Sequence, residues 1–215
     1  MSRHSEDPSA VPRHAVRATR DAGRERRSRL LDAAAELFAN RGLGDVSLAE
    51  IAGRADAFPS QITYYFGSKE ALFVEAACRG LLRAGADVER AGARARTPRT
   101  YVRAIVTTAL NSPALLGFIE ALVLARRRPE LAPLVERTME RLHVGGARAL
   151  QEMLDRRGWS ITTTPEAEAR VFWATILGVV LERAALGEAF DSAVSEAAVL
   201  LVLNLDEAAR SHRAG

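Results

Sequence analysis

Residues 47–66 read SLAEIAGRADAFPSQITYYF, and this stretch decides the fold. Ser47, followed three residues later by Glu50, forms a capping box, in which hydroxyl and carboxylate each satisfy a backbone N–H at a helix start. Leu48, Ile51, Ala52 and Ala55 then recur at helical spacing. Asp56–Phe58 makes a turn, and Pro59 suits the first position of a second short helix running to about Tyr65. Ala52 is small where the two helices cross. Leu48, Ile51, Ala55, Ala57, Ile62 and Tyr65 have the spacing to face a common core. The second helix then turns Ser60, Gln61, Thr63 and Tyr64 outward, a set of donors and acceptors suited to base edges and phosphates. This is the pattern of a helix-turn-helix. Short paired helices also occur in plain bundles, so the flanking sequence has to separate the two readings.

Upstream, Leu30, Leu31, Ala34, Leu37 and Phe38 mark an amphipathic helix over about 22–41, ended by Gly42 and Gly44. Residues 1–20 carry Pro8 and Pro12 and show no apolar period, so they read as a disordered basic tail. Downstream, Gly67 breaks the second short helix and Ser68 caps the next, over about 68–93. Thr97-Pro98 starts a helix to about Asn111, and Ser112-Pro113 another to about Arg127. A long one follows Pro129 over about 130–157 and stops at Gly158. Thr164-Pro165 opens a helix over about 164–186, closed by Gly187, and Asp191 or Ser192 caps a last one to about Ser211. No segment shows the alternation of a strand. The expectation is an all-α chain of about nine helices, with a helix-turn-helix domain over 21–67 and a larger helical domain over 68–215.

Composition agrees. The 215 residues include 40 alanines and 29 arginines, both good helix formers, against a single lysine, Lys69. One cysteine, Cys78, excludes a disulfide scaffold and a multi-cysteine zinc site. No run approaches about 18 consecutive apolar residues, and the N-terminus has no apolar signal core, so a cytoplasmic location is expected. The net charge of +3 says little, but residues 1–30 hold eight arginines against four acids. Such an arm either seeks phosphates or is simply solvated.

Residues 64–73, YYFGSKEALF, with the alanine-rich first helix ending LFANRG and the SLAEIAGRA second helix, resemble the DNA-binding unit of the TetR family of tetracycline-repressor-like regulators. The resemblance covers about residues 24–80; beyond that only the architecture matches. Two positions depart from the family pattern. Asp56 stands where the family usually has a glycine with positive φ, a conformation that Asp tolerates better than most residues. Phe58-Pro59 stands where a capping serine is common, so either Pro59 starts the helix uncapped or Ser60 serves.

The resemblance implies that Lys69 meets a backbone phosphate, helped by the helix N-terminus behind it. Ser47 is a cap that can also reach phosphate. Gln61 and Thr63 are the best base readers, with Ser60 beside them, and Tyr64 touches phosphate or a thymine methyl group. Arg24, Arg26 and Arg27 either flank the groove or form a solvated face.

Residues 171–181, VFWATILGVVL, and 194–205, VSEAAVLLVLNL, are apolar on more than one helical face. A helix of that kind must be buried twice, by its own core and by a second copy, or lie wholly inside. A homodimer through the last two helices also fits two recognition helices about 34 Å apart on a palindrome. By resemblance, a small-molecule pocket lies among the helices of the larger domain, with Tyr101, Thr108, Asn111, Phe118, His143 and Trp173 as candidate lining. No cofactor is expected, and no His and carboxylate cluster has metal-ligand spacing. These features point to a homodimeric repressor released from a palindromic operator by a small-molecule effector; activation, or regulation without a ligand, remains open. An enzyme is disfavoured, because Cys78 and His143 lack any accompanying nucleophile motif, phosphate loop or carboxylate pair. A helical adaptor without DNA binding is the other alternative.

Overall fold

Four of the helices begin where the sequence supplies a side-chain cap. The computed structural model describes residues 13–187, together with 190, 199 and 205–207. Within it, α1 spans Arg13–Arg41, α2 Leu48–Arg54, α3 Pro59–Phe66 and α4 Lys69–Ala93. Next come α5 over Pro98–Leu110, α6 over Ala114–Arg127, α7 over Ala132–Arg157 and α8 over Pro165–Leu186. The side chains of Ser47, Ser68, Thr97 and Thr164 each accept a hydrogen bond from the amide three residues on, which satisfies a donor the helix cannot use. At the far end of α7, Gly158 adopts φ 66, ψ 35, a left-handed cap that a Cβ would strain.

The described chain is almost entirely α-helical, as the periodicity predicts, with four differences. First, α1 starts at Arg13 rather than about 22, so residues 13–20 of the expected disordered tail are helical, and the rest of that tail lies outside the described residues. Nothing between Pro12 and Gly23 breaks a helix, and the stretch is rich in Ala and Arg. Second, a single 3-10 turn, Pro129–Leu131, precedes α7.

Third, the chain contains strand. Trp159–Ile161 (β1) pairs antiparallel with Leu205–Glu207 (β2), Trp159 opposite Glu207 and Ile161 opposite Leu205. Three residues are too few for alternation to register, and the pairing partner is over forty residues away. Trp159 is buried, its ring 5.8 Å from that of Tyr101 in an edge-to-face contact. Fourth, β2 falls inside the helix expected over 191–211, so that helix does not reach Ser211. Most of the segment lies outside the described residues, and the described part holds eight α-helices.

The packing is organised by α4. It lies against α1 and α3 on one side and against α5, α6 and α7 on the other, while α8 packs on α5, α6 and α7. Leu72, Phe73, Val74, Leu81 and Val88 of α4 are buried, and the hydrophobic core runs without a break from Leu30 to Val180. Phe73 meets Phe38 of α1 edge-to-face at 5.2 Å. Among the described residues no single helix is long and apolar enough to cross a membrane.

Candidate nucleic-acid interface and buried cavity

The start of α2 is built by Ser47 and Glu50. The Ser47 N–H and hydroxyl both donate to Glu50 Oε2 at 2.8 Å, and the Glu50 N–H donates to Ser47 Oγ at 3.2 Å. Arg41 adds an ion pair to Glu50 at 2.8 Å. The hydrogen bond from the Ser47 backbone, then that from Arg41, holds the Glu50 carboxyl down at about 2. Ser47 thus caps α2 and stays exposed.

The turn into α3 uses Asp56 at φ 50, the positive φ that this position requires. Pro59 is the first residue of α3, and neither Phe58 nor Ser60 provides a side-chain cap. Gln61 fills the gap, because its Oε1 accepts from the Phe58 N–H at 3.0 Å. Its amide nitrogen is left for an outside partner. Ile62 is fully buried beneath α3, and Tyr65 and Phe66 are half-buried against the core. Ser60, Thr63 and Tyr64 are exposed, Tyr64 at 82%. Of the outward face read from the sequence, Ser60, Thr63 and Tyr64 are thus exposed, while Gln61 is half-buried. Phe58 joins that face, exposed at 74%. Sequence reading treated Phe58 only as a departure from a capping pattern, and a large apolar residue at a turn gives no local signal of exposure.

Lys69 opens α4, one residue after the Ser68 cap, and no acid pairs with it among the described residues. Most arginines around it are engaged. Arg27 bridges to Glu75 at 2.6 Å, with its guanidinium 4.7 Å above the Phe66 ring. Arg54 pairs with Glu36, while Arg79 and Arg83 share Asp32 at 2.8 and 3.1 Å. These pairs tie α1 to α2 and α4. Of the three arginines weighed as groove flanks, Arg27 is thus a structural tie, Arg24 lies 3.6 Å from Asp21, and Arg26 has no ion pair described.

A cavity of about 50 Å³ lies between α4, α5, α7 and α8, with Leu205 of β2 at its edge. Tyr101 and Trp173 line it, as expected from the sequence. The other four candidates do not. Phe118 is fully buried in the core, and Asn111 is exposed at the end of α5. Thr108 is half-buried away from the wall. His143 is also outside the wall; its Nδ1 is buried without a hydrogen-bond partner, and burial, then Arg170, lowers the imidazole pKa. The wall includes Glu89, Glu168 and Phe172, which sequence reading missed because they converge from α4 and α8. Cys78 is buried on α4, and desolvation pushes its thiol up, the opposite of what a nucleophilic thiolate needs.

Comparison with known proteins places these features in context. Residues 30–76 match the family described as bacterial regulatory proteins, tetR family, and residues 98–202 match the family described as bacterial transcriptional repressor C-terminal. The HTH-type transcriptional regulator BetI of Brucella anthropi is 31% identical over 137 residues, covering 61% of this chain and 70% of that protein. BetI of Pseudomonas paraeruginosa is 31% identical over 175 residues, 78% of this chain and 85% of that one. A crystal structure from Rhodococcus sp. RHA1, described as that of a transcriptional regulator, shares 39% identity at TM-score 0.73, covering 82% of this chain and 93% of that one.

Proposed function

The chain belongs to the TetR family of bacterial transcriptional regulators, DNA-binding proteins and not enzymes, and from that premise we propose a homodimeric repressor that leaves its operator when a small molecule occupies the cavity. The exposed polar face of α3, next to an unpaired lysine at the start of α4, carries this reading. In it, residues 21–67 form the DNA-binding unit and 68–215 the effector and dimer unit, in a cytoplasmic protein. Thr63 and the amide nitrogen of Gln61 read base edges, with Ser60 at the helix start. Tyr64 and Phe58 lie against sugar or thymine methyl groups, and Lys69 and Ser47 meet phosphates. The neighbouring arginines are largely spent on intramolecular pairs, so affinity rests on a few placed groups.

The dimer surface is argued from α8. Its inner face is buried through Phe172, Trp173, Ile176 and Val180. Its outer face exposes Val171, Ala174, Gly178, Leu181 and Ala185, apolar or small residues spaced three and four apart. A second copy packing along that stripe buries it and sets two α3 helices on successive major grooves. The partner helix expected at 191–211 lies largely outside the described residues.

Release follows from α4 being one unbroken helix. Lys69 and Glu89 are twenty residues apart, about 30 Å along the axis. A ligand that pushes the cavity end of α4 aside displaces its DNA end as well, and operator must weaken ligand binding by the same factor.

The test is fluorescence anisotropy with duplex DNA containing an inverted repeat from upstream of the gene. Sequence-specific, salt-sensitive binding is expected, with Thr63→Ala losing specificity and Leu181→Arg yielding a monomer in sedimentation that binds operator at least tenfold more weakly. Equal binding to all duplexes by the wild type sinks this reading.

A further inference from the structure

The cavity wall has a charge character unlike the rest of the molecule. The chain carries 29 arginines and one lysine, yet none of those among the described residues lines the cavity, while two carboxylates do. Glu168 is only 7% exposed. Its Oε1 accepts a hydrogen bond from the Thr163 hydroxyl, and no cation pairs with it among the described residues. Glu89 is half-buried and has neither hydrogen bond nor ion pair among the described residues. Burying a carboxylate without a cation is costly, so Glu168, with the half-buried Glu89 on the same wall, gives the cavity an unmet demand for positive charge.

The remaining wall suits the same kind of guest. Tyr101, Phe172 and Trp173 contribute aromatic surface, and Phe172 and Trp173 sit edge-to-face at 5.1 Å. Ring faces attract a cation and repel an anion. Burial, reinforced by Glu89, pushes the Tyr101 phenol up to about 12, which keeps that ring neutral. Two glycines let the helices of the wall approach closely. A Cβ on Gly85 would lie 2.7 Å from Leu142 Cδ1, and one on Gly146 would lie 3.4 Å from Ala169 Cβ and 3.7 Å from Trp173 Nε1. A cavity of about 50 Å³ has room for roughly four or five waters, so the guest is small.

We infer that this cavity takes a small organic cation, a substituted ammonium group held between the Glu89 and Glu168 carboxylates and the rings of Tyr101, Phe172 and Trp173. The inference rests on the cavity being the effector site. The competing account is that Glu168 is merely a helix-start acid, since it stands in the first turn of α8, where the helix dipole favours a negative charge. That account leaves Glu89 unexplained, because it stands near the C-terminal end of α4, where the dipole gives a carboxylate no help. Arg90, Arg148 and Arg156 line the adjoining open cleft, which shares Glu89 and Tyr101 with the cavity. An anion binding to the protein would settle there instead.

The experiment titrates the full chain with tetramethylammonium chloride against sodium chloride of equal ionic strength, following tryptophan fluorescence and the thermal midpoint. tert-Butanol serves as a neutral molecule of similar shape and propionate as an anion. Saturable binding of tetramethylammonium is expected, at least tenfold tighter than tert-butanol. Glu168→Gln and Glu89→Gln are each expected to weaken it tenfold or more. The inference is overturned if tert-butanol binds as tightly, if propionate competes for the same site, or if both glutamine variants retain full affinity. It is also overturned if Glu168→Gln lowers only the ligand-free midpoint and Glu89→Gln changes nothing. Should Glu168→Gln not fold, the half-buried Glu89 decides alone. Cation binding without loss of operator affinity leaves the inference standing and removes the release mechanism. Operator release by neutral or anionic compounds, with no cation binding, removes the inference and keeps that mechanism.

Discussion

The two ends of α4 are built on opposite principles. At the Lys69 end, polar side chains stand outward on short capped helices, and the nearby arginines are neutralised by acids a helix away. At the Glu89 end, carboxylates stand among aromatic rings, with no arginine in the wall among the described residues. A surface awaiting a polyanion is held by local rules, because each exposed group needs only a rigid short helix beneath it. A cavity needs several long helices to converge, so its chemistry depends on packing.

The contrast is broken most severely where the two ends share a core. Phe73→Ala removes a buried ring that bridges α4 to Phe38 of α1. It is expected to cost about 3–5 kcal/mol in a urea or thermal melt and to impair both ends together. A loss confined to one end would mean that the core is not shared.

Gly92→Ala tests the cavity end alone. A Cβ there would come within 2.7 Å of the Tyr101 ring and 3.0 Å of Ile105 Cγ2, so overpacking of about 1–3 kcal/mol is expected. Operator affinity without ligand should stay within threefold. A larger change would show that packing around Tyr101 already sets the position of the DNA end.

Lys69→Ala tests the other end. Operator affinity should fall about tenfold, roughly 1.4 kcal/mol. The slope of log affinity against log salt should drop by about one phosphate contact, with the melting curve unmoved. Unchanged affinity and slope would remove Lys69 from the interface.

The smallest effect concerns Glu50. Its carboxyl is held down from 4.5 to about 2 by hydrogen bonds from Ser47 and Arg41. A depressed carboxyl stabilises the fold above the unfolded-state value, and that contribution is lost as pH falls through the folded one. The stability gap between wild type and Glu50→Gln should therefore be full above about pH 4.5 and close toward pH 2. A gap that persists at pH 2 would assign it to something other than charge.

Legibility in the sequence followed locality. The caps at Ser47, Ser68, Thr97 and Thr164, and the stops at Gly67, Gly158 and Gly187, act over a few residues, and the helices lie where those signals stand. The buried side of α3 was legible through Ile62, whose three-residue spacing from the half-buried Tyr65 is a single-helix property. The exposed Phe58 and the tie made by Arg27 were not, because each depends on what another helix or turn leaves open.

Of the candidates for the cavity, Tyr101 and Trp173 stand in its wall, while Phe118 and Asn111 lie elsewhere. One points wholly into the core and the other lies at the surface. The strand pair went unseen because three residues carry no period and the partner is remote.

The sequence by itself determined the capped helix starts, the helix-turn-helix and the family, since capping chemistry and amphipathic spacing are short-range and survive without a partner. Tertiary structure alone decided which charges are spent and which are free. Arg27, Arg79 and Arg83 resemble Lys69 on paper, yet acids brought from tens of residues away neutralise the three arginines and leave the lysine unpaired. Glu89 and Glu168 resemble any exposed helical glutamate until α4 and α8 close on one another. Coulomb interactions and burial act through space, and only the packed chain fixes those distances.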